Sequence, residues 1–122
     1  MSAAPPPAPR RRVSILIPTL NEAGRIGPLL RSLEPLGAGE ILVIDAGSAD
    51  GTADIARARP LVRVLTADRG RGLQLDAGAQ AATGDILLFL HADTRLPPRA
   101  ITAITAALAD PSVAGGDRKS VV

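Results

Sequence analysis

The chain has 122 residues, 46% of them hydrophobic, which is enough for one modest core and too few for two full domains. Its formal charge is +2, but a single lysine, scattered arginines and Phe89 as the one aromatic leave neither a basic stripe nor a stacking platform, so no nucleic-acid partner is expected. The lack of cysteine excludes disulfides, thiolate metal sites and cysteine nucleophiles; no apolar stretch reaches the roughly 20 residues that span a bilayer, which makes the cytoplasm the default expectation.

Residues 1–12 run Ala3-Ala4-Pro5-Pro6-Pro7-Ala8-Pro9 into Arg10-Arg11-Arg12, too proline-rich for a helix and too poor in large apolar residues for a secretory signal. A disordered tail is expected, whose arginines could make a peripheral contact with an anionic membrane surface or partner. Val13-Ser14-Ile15-Leu16-Ile17 reads as a first strand, halted at Pro18. A helix from about Gly24 to Leu33 follows, with Ile26, Leu29, Leu30 and Leu33 at the spacing of one buried face, and Pro28 acceptable only near its first turn.

Gly37-Ala38-Gly39 breaks that helix, and Glu40-Ile41-Leu42-Val43-Ile44 supplies a second strand running into Asp45-Ala46-Gly47-Ser48-Ala49-Asp50-Gly51-Thr52. Ser48 or Asp50 can cap a helix reaching about Arg59, and Val62-Arg63-Val64-Leu65 is a weaker third strand. Arg69-Gly70-Arg71-Gly72 then opens a helix carrying Leu73, Ala77, Gln80 and Ala81, with Gly84 as its C-terminal cap. Residues 85–90 form the fourth strand, delivering His91-Ala92-Asp93-Thr94, and Pro97-Pro98 opens a helix with Ile101, Ile104 and Leu108 on one face.

Strands alternating with helices predict right-handed crossovers and an α/β fold, a mainly parallel sheet with flanking helices, over residues 13–116. Val113-Ala114-Gly115-Gly116 could start a fifth strand, but residues 117–122 supply neither a strand period nor a cap. That irregular end predicts a truncated or frame-shifted product whose unfinished sheet edge could pair with a second copy or another chain.

Three segments fall at carboxyl ends of predicted strands, where open α/β sheets bind ligands: Pro18-Thr19-Leu20-Asn21-Glu22, Asp45, and His91-Ala92-Asp93. Asp45 could accept hydrogen bonds from a base or ribose; it equally fits the start of a turn with Gly47 and Ser48. Asp93, alone or with His91, could hold Mg²⁺ or Mn²⁺ between two phosphates, since these ions favour oxygen ligands. It also fits a turn before Pro97, and a lone histidine is more often a hydrogen-bonded bystander than a ligand. The arginines of the 69–72 loop could bind phosphate at a helix amino end, although its glycines also suit a plain turn.

Taken together, residues 13–22, 41–52 and 84–94 resemble the successive motifs of family 2 glycosyltransferases with the GT-A fold, a Rossmann-like nucleotide-binding half, over about residues 13–116. The His-Ala-Asp-Thr variant is most similar to a bacterial subgroup of radical-SAM/selenodomain-associated transferases. The resemblance implies that Pro18, Thr19 and Glu22 border the nucleotide, that Asp45 contacts base or ribose, and that Arg71 and Asp76 meet the donor. Asp93, with His91 beside it, would hold the Mn²⁺ or Mg²⁺ ion and the diphosphate. The implied reaction transfers a sugar from a nucleoside-diphosphate sugar to an acceptor hydroxyl.

Two positions depart from the family pattern: Ala46 replaces the second acidic residue of the base-binding motif, and His91 the first aspartate of Asp-X-Asp. The family's general base lies in a later segment without a counterpart here, so the chain is expected to supply the donor-binding part and to be inactive alone. Two other readings are a nucleotidyltransferase, disfavoured because the loop after the first strand carries no lysine, and a non-catalytic interaction module.

Overall fold

The computed structural model describes residues 12–108 and 120–122; residues 1–11 of the expected tail and the expected strand at 113–116 lie outside the described residues. Five parallel strands, β1 (Val13–Thr19), β2 (Glu40–Asp45), β3 (Val62–Thr66), β4 (Ile86–Phe89) and β5 (Ser120–Val121), form one sheet in the order β3-β2-β1-β4-β5. The expected α/β architecture is therefore present; of the end expected to be irregular, residues 117–119 lie outside the described residues, and Ser120 and Val121 pair with Ile86 and Leu87. Extending an existing strand edge needs backbone hydrogen bonds rather than a long apolar period, which is why so short a segment gives no signal in the sequence.

Helices α1 (Ala23–Leu33), α2 (Thr52–Arg57) and α4 (Ala100–Ala107) cover one face, and α3 (Arg71–Ala81) covers the other. Side chains alternate along a strand, so β1 sends Val13, Ile15 and Ile17 to the first face and Leu16 to the second. Both faces are covered, and the strands accordingly read as continuous apolar runs. Ile26, Leu29, Leu30 and Leu33 form the buried stripe of α1 as expected, each fully buried aliphatic contributing about 1.5–3 kcal/mol. Pro28 sits in the interior of α1, beyond the first turn, on its exposed side.

The helix expected after Arg69-Gly70-Arg71-Gly72 is present as α3, and of the residues it was expected to carry, Ala77 and Ala81 pack against the second core cluster. Leu73 is 58% exposed and Gln80 is exposed, while Gln74 and Gly78 are the buried positions. The helix lies so close to the sheet that a Cβ at Gly78 would meet Ile44 Cδ1 at 2.7 Å and Leu16 Cδ2 at 3.0 Å. A small residue is demanded there by proximity, which hides the periodicity that large side chains would display. Gly84 is not a left-handed cap either; α3 ends at Ala81, and a Cβ at Gly84 would lie 2.7 Å from the Arg12 carbonyl oxygen.

The two neighbours of β1 leave it at different points. Pairing with β2 runs to Thr19↔Asp45, whereas pairing with β4 stops at Leu16↔Phe89. The Leu90 N–H donates to the Leu16 carbonyl at 3.0 Å, so Leu16 faces β4, and two residues on Pro18 faces the same way. Proline has no N–H to continue that ladder, so the strands part beyond it. The opening lies between β1 and β4, where the strand order reverses.

Candidate functional site

A cleft of about 380 Å³ occupies this opening. The end of β1 and the start of α1 contribute Pro18, Thr19, Leu20, Glu22 and Arg25; the entry and first turn of α3 contribute Arg69, Gly70, Arg71 and Gln74; the segment after β4 contributes His91, Ala92 and Asp93. Carboxyl ends of parallel strands at a switch in strand order are where such sheets bind ligands. A second groove, lined by Val64, Leu65, Thr66, Ala77, Gln80 and Ala81, carries no titratable side chain and offers no acid or base chemistry.

Two loops are knitted together to build the first wall. Asn21 turns through φ +55°, a conformation its short polar side chain tolerates, and its Oδ1 accepts from the Ala49 N–H at 2.9 Å. The Asn21 N–H donates to Ser48 Oγ, the Glu22 N–H to Thr52 Oγ1 and the Ala23 N–H to Asp50 Oδ2. Asp50 Oδ1 also accepts from the N–H and hydroxyl of Thr52, so this carboxylate serves the first turns of both α1 and α2. The expected capping role of Asp50 is thus present, and Ser48 acts elsewhere.

Asp45 lies beneath this wall rather than in the cleft lining. It is 3% exposed, and its oxygens accept from the hydroxyls of Thr19 (2.7 Å) and Ser48 (2.5 Å) and from the N–H groups of Gly47 (3.1 Å) and Ser48 (2.8 Å). Burial alone would raise its pKa, but these hydrogen bonds outweigh burial and hold it below the usual carboxylate range. The turn with Gly47 and Ser48 is therefore real, and Asp45 reaches the cleft through Thr19.

Asp76 also lies outside the lining, on the exposed side of α3, where it accepts from Gln80 Nε2 at 2.9 Å. It follows Gln74 by two residues, about 200° around the helix, and Gln74 faces the sheet. Pro18, Thr19, Glu22, Arg71, His91 and Asp93 do converge on the cleft. Arg69 joins them from the loop read as a candidate phosphate binder, and Arg25 and Gln74 join them without having been singled out in the sequence. Arg25 pairs with Glu22 at 3.4 Å, an i,i+3 spacing that could have flagged it.

The cleft gathers three guanidinium groups, Arg25, Arg69 and Arg71, against two carboxylates, Glu22 and Asp93. Arg69, Arg71 and Asp93 have no ion-pair partner among the described residues. On the β4 side, the Thr94 N–H donates to the His91 carbonyl and the His91 N–H to Thr94 Oγ1, a tight turn that holds Asp93 at the rim. No group of three His, Asp or Glu side chains able to enclose a metal is present among the described residues. One carboxylate with an imidazole two residues away nevertheless fits a Mg²⁺-type ion, which keeps waters and takes its remaining ligands from substrate phosphates. Cationic arginines, a carboxylate and the amino end of an 11-residue helix together suit a phosphorylated ligand carried with a divalent ion.

Known proteins share the sequence pattern and the fold of this chain. The family model described as glycosyl transferase family 2 matches residues 14–121. An undecaprenyl-phosphate 4-deoxy-4-formamido-L-arabinose transferase from Salmonella paratyphi B is 33% identical over 111 residues, covering 81% of this chain and 34% of the relative. The chain thus spans about a third of the length of the curated relatives it matches. Mannosyl-3-phosphoglycerate synthase from Rubrobacter xylanophilus superposes with a TM-score of 0.71 at 28% identity, over 83% of this chain and 38% of that one. Glucosyl-3-phosphoglycerate synthase from Mycobacterium tuberculosis, in complex with Mn²⁺, UDP and glucosyl-3-phosphoglycerate, gives 0.63 at 25% identity, over 77% of this chain and 42% of that one.

Proposed function

The chain belongs to glycosyl transferase family 2, and from that membership we propose that its cleft is the donor site of a glycosyltransferase, taking a nucleoside-diphosphate sugar whose diphosphate lies between Arg69, Arg71 and Asp93. The observation that carries this reading is the meeting of these three side chains, from two separate segments, at the β1/β4 opening. In the reaction an acceptor hydroxyl oxygen bonds to the anomeric carbon, the bond from that carbon to the diphosphate oxygen breaks, and the diphosphate leaves with the electron pair. Arg69 and Arg71 face that growing negative charge, and Thr19, Glu22 and Gln74 line the remainder of the donor.

Asp93 would hold the divalent ion, with His91 as second ligand, and the bound ion would supply further charge neutralisation at the diphosphate. The Mycobacterium tuberculosis relative, solved with Mn²⁺ and UDP, favours Mn²⁺ and UDP as the first probes, with Mg²⁺ as the alternative ion. The His91-Ala92-Asp93-Thr94 segment favours the radical-SAM/selenodomain-associated subgroup within the family. Calorimetric titration tests the proposal: UDP should bind in the presence of Mn²⁺ and lose at least roughly tenfold in affinity on chelation or in Asp93→Ala, as expected for loss of a charged contact. Metal-independent binding, unchanged in Asp93→Ala, would reject it.

A further inference from the structure

Gln74 is a polar side chain in an apolar layer, only 5% exposed on the sheet-facing side of α3. Its Nε2 donates to the carbonyl oxygen of Thr19 at 3.0 Å and to that of Ile44 at 2.9 Å. Two carbonyl acceptors can be served only by the NH₂ end of the amide, so the orientation of the group is fixed. The other end, Oε1, accepts no hydrogen bond among the described residues, yet those residues contain no buried side-chain oxygen or nitrogen left without a partner. Oε1 is therefore not sealed from solvent, and Gln74 is one of the residues lining the cleft.

We infer that Gln74 reads the nucleoside part of the ligand: Nε2 clamps α3 to the ends of β1 and β2, and Oε1 is thereby held as an acceptor for a hydroxyl or ring N–H of the bound nucleotide. The position along the sheet supports the nucleoside rather than the diphosphate. Gln74 is anchored on β1 and β2, whereas His91 and Asp93 extend from β4, the neighbour of β1 on the opposite side. A nucleoside diphosphate with its phosphates toward Asp93 lays its nucleoside toward β2. An uncharged acceptor held in place discriminates strongly, because a ligand lacking the matching donor leaves a desolvated oxygen unpaired.

This inference rests on the proposed nucleotide-binding function, and two probes separate the fates of the two. UDP and inorganic pyrophosphate, each titrated with Mn²⁺, share the diphosphate, but only UDP carries a nucleoside. Gln74→Met removes the amide at similar length, and Thr19 keeps the Ala46 N–H as a donor to its carbonyl. Gln74→Lys restores donors toward the same carbonyls and supplies no acceptor, covering the case in which the methionine variant does not fold. In both variants the affinity for UDP relative to pyrophosphate should fall by roughly five- to tenfold. A purely structural role would weaken both probes alike, and an unchanged ratio overturns the role of Gln74. A parent chain that binds neither probe overturns the nucleotide reading itself.

Discussion

Asp45 braces the loop behind a cleft that it does not itself line. Four donors converge on its two oxygens, two hydroxyls and two backbone N–H groups. Asp45→Ala removes every acceptor at once and leaves those donors in a loop that is partly closed to water. A loss of about 2–4 kcal/mol of unfolding free energy is expected in urea, from the cost of unsatisfied polar groups. A loss under about 0.5 kcal/mol, the scale of an ordinary surface substitution, would mean that the loop does not depend on this carboxylate. The double fit of Asp45 in the sequence has the same origin. A carboxylate followed by Gly47 and Ser48 can accept from its own turn or from a ligand, and only the neighbouring Thr19 hydroxyl, 26 positions away, shows which donors reach it first.

At the scale of the element, α3 is set by what it lacks. Gly78 and Gly84 both stand where a Cβ has no room, but their neighbours differ in compliance. At Gly78 the obstacles are the methyl ends of Ile44 and Leu16, which can turn aside, and alanine regains up to about 1 kcal/mol of helix propensity. At Gly84 the obstacles are the Arg12 carbonyl and the Ser14 backbone nitrogen as well as Ser14 Oγ, and backbone cannot turn aside. Gly84→Ala is therefore expected to destabilise by about 1–3 kcal/mol, more than Gly78→Ala, in parallel urea denaturation series; the reverse order would refute this account of the contact. The elements that announce themselves in the sequence are β1, β2, β4 and α1, whose large aliphatics fill both cores. α3 is legible as a helix from its glycine-rich entry, but its buried positions Gln74 and Gly78 are not, because close approach selects small residues and one amide, and neither contributes to an apolar period.

For the whole molecule, the two ends of the sheet carry different tasks. The carboxyl end holds the cleft, and the amino end is braced by Glu40, whose carboxylate accepts from the Ser14 hydroxyl, the Thr83 N–H and hydroxyl, and Arg63. Burial would raise the pKa of Glu40, but these donors prevail and lower it from 4.5 to about 2. As pH falls, the unfolded chain takes up this proton first, so the contribution of Glu40 is complete above pH 4.5 and fades as pH drops toward 2. Its full size is on the order of 3 kcal/mol. Urea midpoints of the parent and Glu40→Gln should differ at pH 6 and converge near the acid limit; a gap independent of pH would exclude ionisation as its source. Pro18 has the last consequence. Since its ring nitrogen has no proton to give, the ladder between β1 and β4 cannot run on through it, and that limit is written into the covalent chain. A main-chain bond donated from position 18 is thereby unavailable to zip the two strands together across the cleft.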